Sequence, residues 1–190
     1  HLNALLRSET GHRRRLIVTD SLFSMDGDLA PLPDLVDLAR TPSAILMVDD
    51  AHGTGVLGPT GRGAPEHFGV ARDIDVLMTA GSKALGAFGG FIAGSENLID
   101  LLINRSPSFI YTTALPPDAC AATLAALDLI EFEPALRERL WTNVRKIRKG
   151  LLDLGFDLMG SQTQILPIRI GDPGRTMAIS DHLYRQGIFL

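Results

Sequence analysis

The run Ala44-Ile45-Leu46-Met47-Val48 empties into Asp49-Asp50-Ala51-His52-Gly53, and a second run, Asp75-Val76-Leu77-Met78, empties into Thr79-Ala80-Gly81-Ser82-Lys83. Short continuous apolar runs bounded by Gly or polar residues fit strands covered on both faces, as in a parallel sheet. In open α/β sheets the ligand lies just beyond the carboxyl ends of such strands. Two carboxylates, an imidazole and an amine are therefore expected to share one rim.

A lysine amine forms a Schiff base with a carbonyl cofactor, and pyridoxal phosphate (PLP) also needs an anion at its pyridinium nitrogen. Lys83 can form the imine, Asp49 can supply the anion, and His52 can hydrogen-bond the phenolic oxygen. The plainer alternative is that Lys83 is a solvated loop lysine and that Asp49-Asp50 caps a turn. Residue types alone leave both readings open.

Three motifs in order decide between them: Phe23-Ser24-Met25-Asp26-Gly27-Asp28; then Val48 through Gly58 with Gly61-Arg62-Gly63; then Ser82-Lys83-Ala84-Leu85-Gly86 with Gly89-Gly90. Together they resemble the α-oxoamine synthase family of fold-type-I PLP-dependent enzymes, and within it the branch that serves biotin synthesis. The resemblance is collinear over nearly the whole chain. It implies an α/β fold, a mostly parallel sheet flanked by helices, and decarboxylative condensation of an amino acid with an acyl thioester. It also implies a homodimer with active sites shared across the interface. By the same resemblance Lys83 is the Schiff-base lysine, Asp49 the pyridinium partner, and His52 and Ser24 neighbours of the phenolic oxygen. Thr112 and Thr113 match a segment that reaches the phosphate of the neighbouring subunit. Relatives carry a phosphate-binding Thr three residues before the lysine. Here that place is Ala80, with Thr79 one position earlier.

Working outward, Leu16-Ile17-Val18-Thr19 reads as a strand delivering Asp20 through Asp28 to the same rim. Leu32 to Arg40 reads as an amphipathic crossover helix, completing a βαβ unit. Gly89 to Gly94 suggests a further strand, and Ser95 caps a helix running to Arg105. An alanine-rich helix from Asp118 to about Phe132 follows the Pro116-Pro117 break. Cys120, the one cysteine, is read there as a small buried residue. A helix from Pro134 to about Leu154 carries an apolar stripe and a charged face read as solvated. Residues 156–159 and 165–170 read as strands, and 175–186 as a last helix. This change of rhythm divides the chain into residues 1–132, part of a large PLP-binding domain, and 133–190, the start of a smaller C-terminal α/β domain. With His1 in first place and a new strand expected from Gly187-Ile188-Phe189-Leu190, the chain reads as a fragment of a longer protein.

Composition and motif chemistry narrow the alternatives. The 190 residues are 45% hydrophobic and 21% charged with a formal net charge of -4, which argues against a nucleic-acid binder. No uninterrupted apolar run approaches the roughly 18 residues of a membrane span, so no membrane partner is expected and a cytoplasmic location is the default. Gly53-Thr54-Gly55-Val56-Leu57-Gly58 matches a dinucleotide fingerprint, but Pro59, Gly61, Gly63 and Pro65 would stop the helix that such a site requires. Asp26-Gly27-Asp28 lacks the full spacing of a calcium loop, so no metal site is expected. Another α-oxoamine synthase, such as 2-amino-3-ketobutyrate ligase, 5-aminolevulinate synthase or serine palmitoyltransferase, remains as the nearest competing reading, followed by a catalytically silent scaffold subunit and a nicotinamide-dependent oxidoreductase.

Overall fold

The computed structural model describes residues 1–9, 11–40 and 43–190. Helix α1 spans Leu2–Ser8, β1 Leu16–Asp20, α2 Leu32–Arg40 and β2 Ile45–Asp49. A short helix, α3 (Ala64–His67), and a 3-10 turn (Ala71–Asp73) lead into β3 (Val76–Ala80) and β4 (Gly90–Gly94). Helices α4 (Glu96–Arg105), α5 (Pro107–Ile110), α6 (Pro117–Phe132), α7 (Pro134–Asp153) and α8 (Pro173–Arg185) follow.

The four strands form one sheet in the order β1-β2-β3-β4. β1, β2 and β3 are parallel, and β4 returns antiparallel to β3. Parallel neighbours need a crossover, supplied by α2 between β1 and β2. The register pairs Asp20 with Asp49 and Asp49 with Met78, so the carboxyl ends of all three parallel strands open on one edge.

Because successive side chains of a strand point to opposite faces, Ile17, Leu46 and Val48 go together. All three are buried, and with Leu22, Leu32, Val36 and Leu57 they form the core. α2 buries Leu32, Val36 and Ala39 on its sheet-facing side. The other face differs from the sequence expectation of burial on both sides. Leu16, Val18 and Ile45 are 57%, 58% and 41% exposed, whereas α4 packs at the β4 margin of that face. There Gly94 leaves room for Leu98, whose side chain would clash with any Cβ at that position.

Three expectations for the C-terminal third need correction. Residues 156–159 and 165–170 form no strand. A strand requires a ladder of partners, and the backbone bond joining these two segments is Arg169 N–H to the Asp157 carbonyl, 3.2 Å. Cys120 is exposed, since α6 stands off the core with no buried residue. The charged face of α7 is not wholly solvated. Arg137 donates to the carbonyls of Ile130 and Pro59, and Arg148 donates to those of Ser161 and Thr163. α7 is tied to the rest by these guanidinium groups, by buried Val144 and by Trp141 Nε1 donating to the Val56 carbonyl at 3.1 Å.

Candidate active site

The turn after β2 is organised by a carboxylate with no exposed surface. Asp50 accepts from Ser21 Oγ at 2.5 Å, Thr54 Oγ1 at 2.8 Å and the Ala64 amide at 3.1 Å. A Cβ on either Gly53 or Gly63 would overlap that carboxylate, so the backbone at both positions wraps it closely. Burial pushes the Asp50 carboxyl above the ordinary value, and the hydrogen bonds from Ser21, Thr54 and Ala64 oppose the shift. Residues 51–61 form successive turns around this anchor, with no helix opening at the glycine-rich stretch. That removes the amino-terminal dipole a dinucleotide site would use.

Lys83 lies in the loop that joins β3 to β4. Gly81 N–H donates to the Gly89 carbonyl and Ala87 N–H to that of Gly81, both at 2.7 Å, closing the loop at its base. From there Nζ reaches Nε2 of His52, 2.5 Å away. Asp49 is partly buried, and its Oδ1 accepts from the Ala51 amide at 2.9 Å, fixing the carboxylate at the start of the same turn. Partial burial holds the His52 imidazole below its ordinary value. The Lys83 cation adds to that shift, and the Asp20 and Asp49 carboxylates oppose it. The amine and two carboxylates thus all act on the imidazole at the strand ends. Beside them is a cavity of about 500 Å³ whose lining includes His52, Lys83, Leu129, Ile130 and Gln164.

The remaining expected residues fall in three places. Ser24 is exposed in the turn after β1. Thr112 and Thr113 are exposed between α5 and α6, and no hydrogen bond among the described residues joins them to Lys83 or His52. Thr79 is 3% exposed, and its Oγ1 has no hydrogen-bond partner among the described residues. Met78 is the register partner of Asp49, so strand alternation puts Thr79 on the opposite face and Ala80 on the Asp49 face.

Sequence reading missed two contributors. The first is the anchoring role of Asp50, which the sequence offers only as half of a turn-capping Asp49-Asp50 pair; the glycines at 53 and 63 are its signal. The second is Gln164, whose Nε2 donates to the His52 carbonyl at 2.8 Å. Nothing in the local pattern around residue 164 marks it.

The family model for aminotransferases of class I and II matches residues 1–190. The chain belongs to the aminotransferase class I and II family. It is 52% identical over 191 residues to the 8-amino-7-oxononanoate synthase of Citrifermentans bemidjiense, covering 100% of this chain and 49% of that protein. With 8-amino-7-oxononanoate synthase 1 of Bacillus subtilis it shares 46% identity over 188 residues, covering 99% and 48%. Among solved structures it superposes on serine palmitoyltransferase of S. paucimobilis with bound PLP and myriocin at a TM-score of 0.93. That match has 29% identity and covers 100% of this chain and 50% of that one. The 8-amino-7-oxononanoate synthase of Francisella tularensis matches at 0.81, with 27% identity and coverage of 100% and 56%. The chain spans about half the length of the curated relatives it matches.

Proposed function

We propose that these residues form the lysine-bearing half of a PLP-dependent α-oxoamine synthase that condenses L-alanine with a pimeloyl thioester, carried by coenzyme A or a carrier protein, releasing carbon dioxide and the carrier thiol to give 8-amino-7-oxononanoate in biotin synthesis. The observation that carries this reading is the meeting of Lys83 Nζ and His52 Nε2 on the strand-end rim that also holds Asp49. The names of the relatives at about half identity support the product. We read residues 1–132 as part of the large domain, 133–190 as part of the small one, and the working unit as a homodimer.

The donor set suits PLP: an amine for its aldehyde, a carboxylate for its ring nitrogen, and an imidazole within reach of the amine. Lys83 would hold it through Nζ, Asp49 would face the ring nitrogen, and His52 and Ser24 would face the phenolic oxygen. Thr112 and Thr113 would serve the phosphate held by the partner subunit, and Thr79 is the nearest threonine to the Ala80 position in the chain's own phosphate site. When bound, PLP supplies an electron sink for the bond broken at the amino acid α-carbon. Lys83 Nζ is the base that takes and returns the α-proton. His52 Nε2 accepts a hydrogen bond from Nζ, and the lowered basicity of the imidazole keeps that acceptor available near neutral pH. Asp49 would face the ring nitrogen with its carboxylate and favour a proton there.

The test uses the whole protein that carries this chain. Added PLP should give an absorbance band near the visible that is lost in Lys83→Ala. Alanine, glycine and serine are then compared with several acyl thioesters, and the product is identified. Failure of wild-type protein to develop the band sinks the cofactor reading. A product from glycine or serine moves the chain to another α-oxoamine synthase, a reading favoured by its superposition on serine palmitoyltransferase.

A further inference from the structure

Segment 161–164, beyond α7, grips both turns that border the site. Ser161 Oγ and Thr163 Oγ1 donate to the Gly27 carbonyl at 3.2 and 3.0 Å, which fastens the turn carrying Ser24. Gln164 Nε2 donates to the His52 carbonyl at 2.8 Å across 112 residues of sequence. The segment is itself held from α7, where Arg148 donates to the carbonyls of Ser161 and Thr163. Ser161 and Thr163 are buried, so the grip is part of the packed structure.

Gln164 makes this contact at a cost. Its Oε1 is buried with no hydrogen-bond partner among the described residues, and an orphaned buried acceptor is destabilising. A methionine of similar length would fill the same space without that penalty. Local rules are broken in this way at positions that serve function. The group that benefits is the donor end of the amide, which fixes the backbone of the residue whose ring meets Lys83.

We propose that Gln164 is a positioning residue for His52: its carboxamide N–H holds the His52 carbonyl so that Nε2 stays against Lys83 Nζ, making the alignment of that pair depend on the segment after α7. This rests on the reading of the site given above. The groups that act on the imidazole are Lys83 from the β3–β4 loop, Asp20 from β1 and Asp49 from β2. With Gln164 withdrawn, the ring loosens and moves away from the cation and the buried wall.

The experiment compares wild type, Gln164→Met and Gln164→Asn in the whole protein, free of PLP for titration and melting and with PLP bound for turnover. The His52 resonance is identified by its loss in His52→Gln. In Gln164→Met the melting temperature should change little, because removal of the orphaned acceptor offsets loss of the donor to the His52 carbonyl. The His52 titration midpoint, followed by NMR, should move up towards the ordinary histidine value of about 6.5. The kcat should fall about tenfold with little change in either KM. Gln164→Asn, with a donor one methylene short, should fall between. A lowered melting temperature with an unmoved His52 midpoint would make Gln164 merely structural and overturn the proposal. So would full kcat in Gln164→Met. Should wild-type protein take up no PLP, the cofactor reading falls, and the midpoint and melting comparisons still decide this inference.

Discussion

Lys83 Nζ and His52 Nε2 stand 2.5 Å apart although 31 residues separate them in the chain. The contact exists because the β3–β4 loop and the turn after β2 both open at the carboxyl ends of adjacent parallel strands. If Nζ is both the attachment point and the base, Lys83→Ala loses two functions and His52→Ala only one. General acid–base groups contribute about 10²- to 10⁴-fold. Turnover in Lys83→Ala should therefore fall by about 10³-fold or more with no PLP band, whereas His52→Ala should keep a band and lose less. Steady-state rates and an absorbance scan check this, and equal loss of the band in both would contradict it.

The His52 imidazole is held below its ordinary value, first by burial and then by Lys83. A histidine that binds its proton less well when folded contributes stability above the unfolded value of about 6.5, and that contribution is lost as pH falls through the lower folded value. Chemical denaturation at a series of pH values should show wild type losing more stability than His52→Gln between about pH 7 and pH 5. Parallel curves for the two proteins would show that the environment of the ring is not as described.

Asp50 behaves in the opposite sense. Burial raises its carboxyl, so the folded protein binds that proton more tightly. The associated stability is full below the ordinary carboxylate value and is lost as pH rises through the folded one. Relative to Asp50→Asn, wild type should gain ground in acid. Asp50→Ala, which strands the donors of Ser21, Thr54 and Ala64, should cost about 3 kcal/mol at neutral pH. Urea melts of the three proteins provide the measurement, and a loss within error of zero for Asp50→Ala would deny the residue its anchoring role.

Ala80 shares the face of Asp49, while Thr79 is buried on the opposite face with its hydroxyl unpartnered among the described residues. Thr79 is thus poorly placed to replace a hydroxyl at position 80. Hydrogen bonds to charged groups contribute about 1.5–3 kcal/mol. Ala80→Thr should therefore tighten PLP binding about tenfold, and Thr79→Val should leave PLP affinity nearly unchanged. Fluorescence titration with PLP reads both, and the reverse order of effects would place the phosphate on the Thr79 side.

The strand ends and the helices were legible because their signals are local. Apolar runs of strand length ended in polar residues, α2 showed its stripe, and Ser95 caps α4 by accepting from the Leu98 amide. The Lys83–His52 meeting was legible one level up, from the rule that parallel strands present their carboxyl ends together. The C-terminal third was read less well. Residues 165–170 have a strand-like composition, but pairing depends on a neighbour that composition does not supply. Cys120 looked like core because alanines surround it, yet α6 buries nothing. Gln164 was invisible because its significance lies entirely in a contact with a carbonyl 112 residues away.

The uncovered side of the sheet has a practical bearing. Leu16, Val18 and Ile45 offer water a contiguous hydrocarbon surface on neighbouring strands. Such a surface gains free energy by meeting another like it. Expressed by themselves, these 190 residues should scatter light at modest concentration and brighten a dye such as ANS, and a Val18→Lys exchange should quieten both signals without disturbing Lys83 or His52.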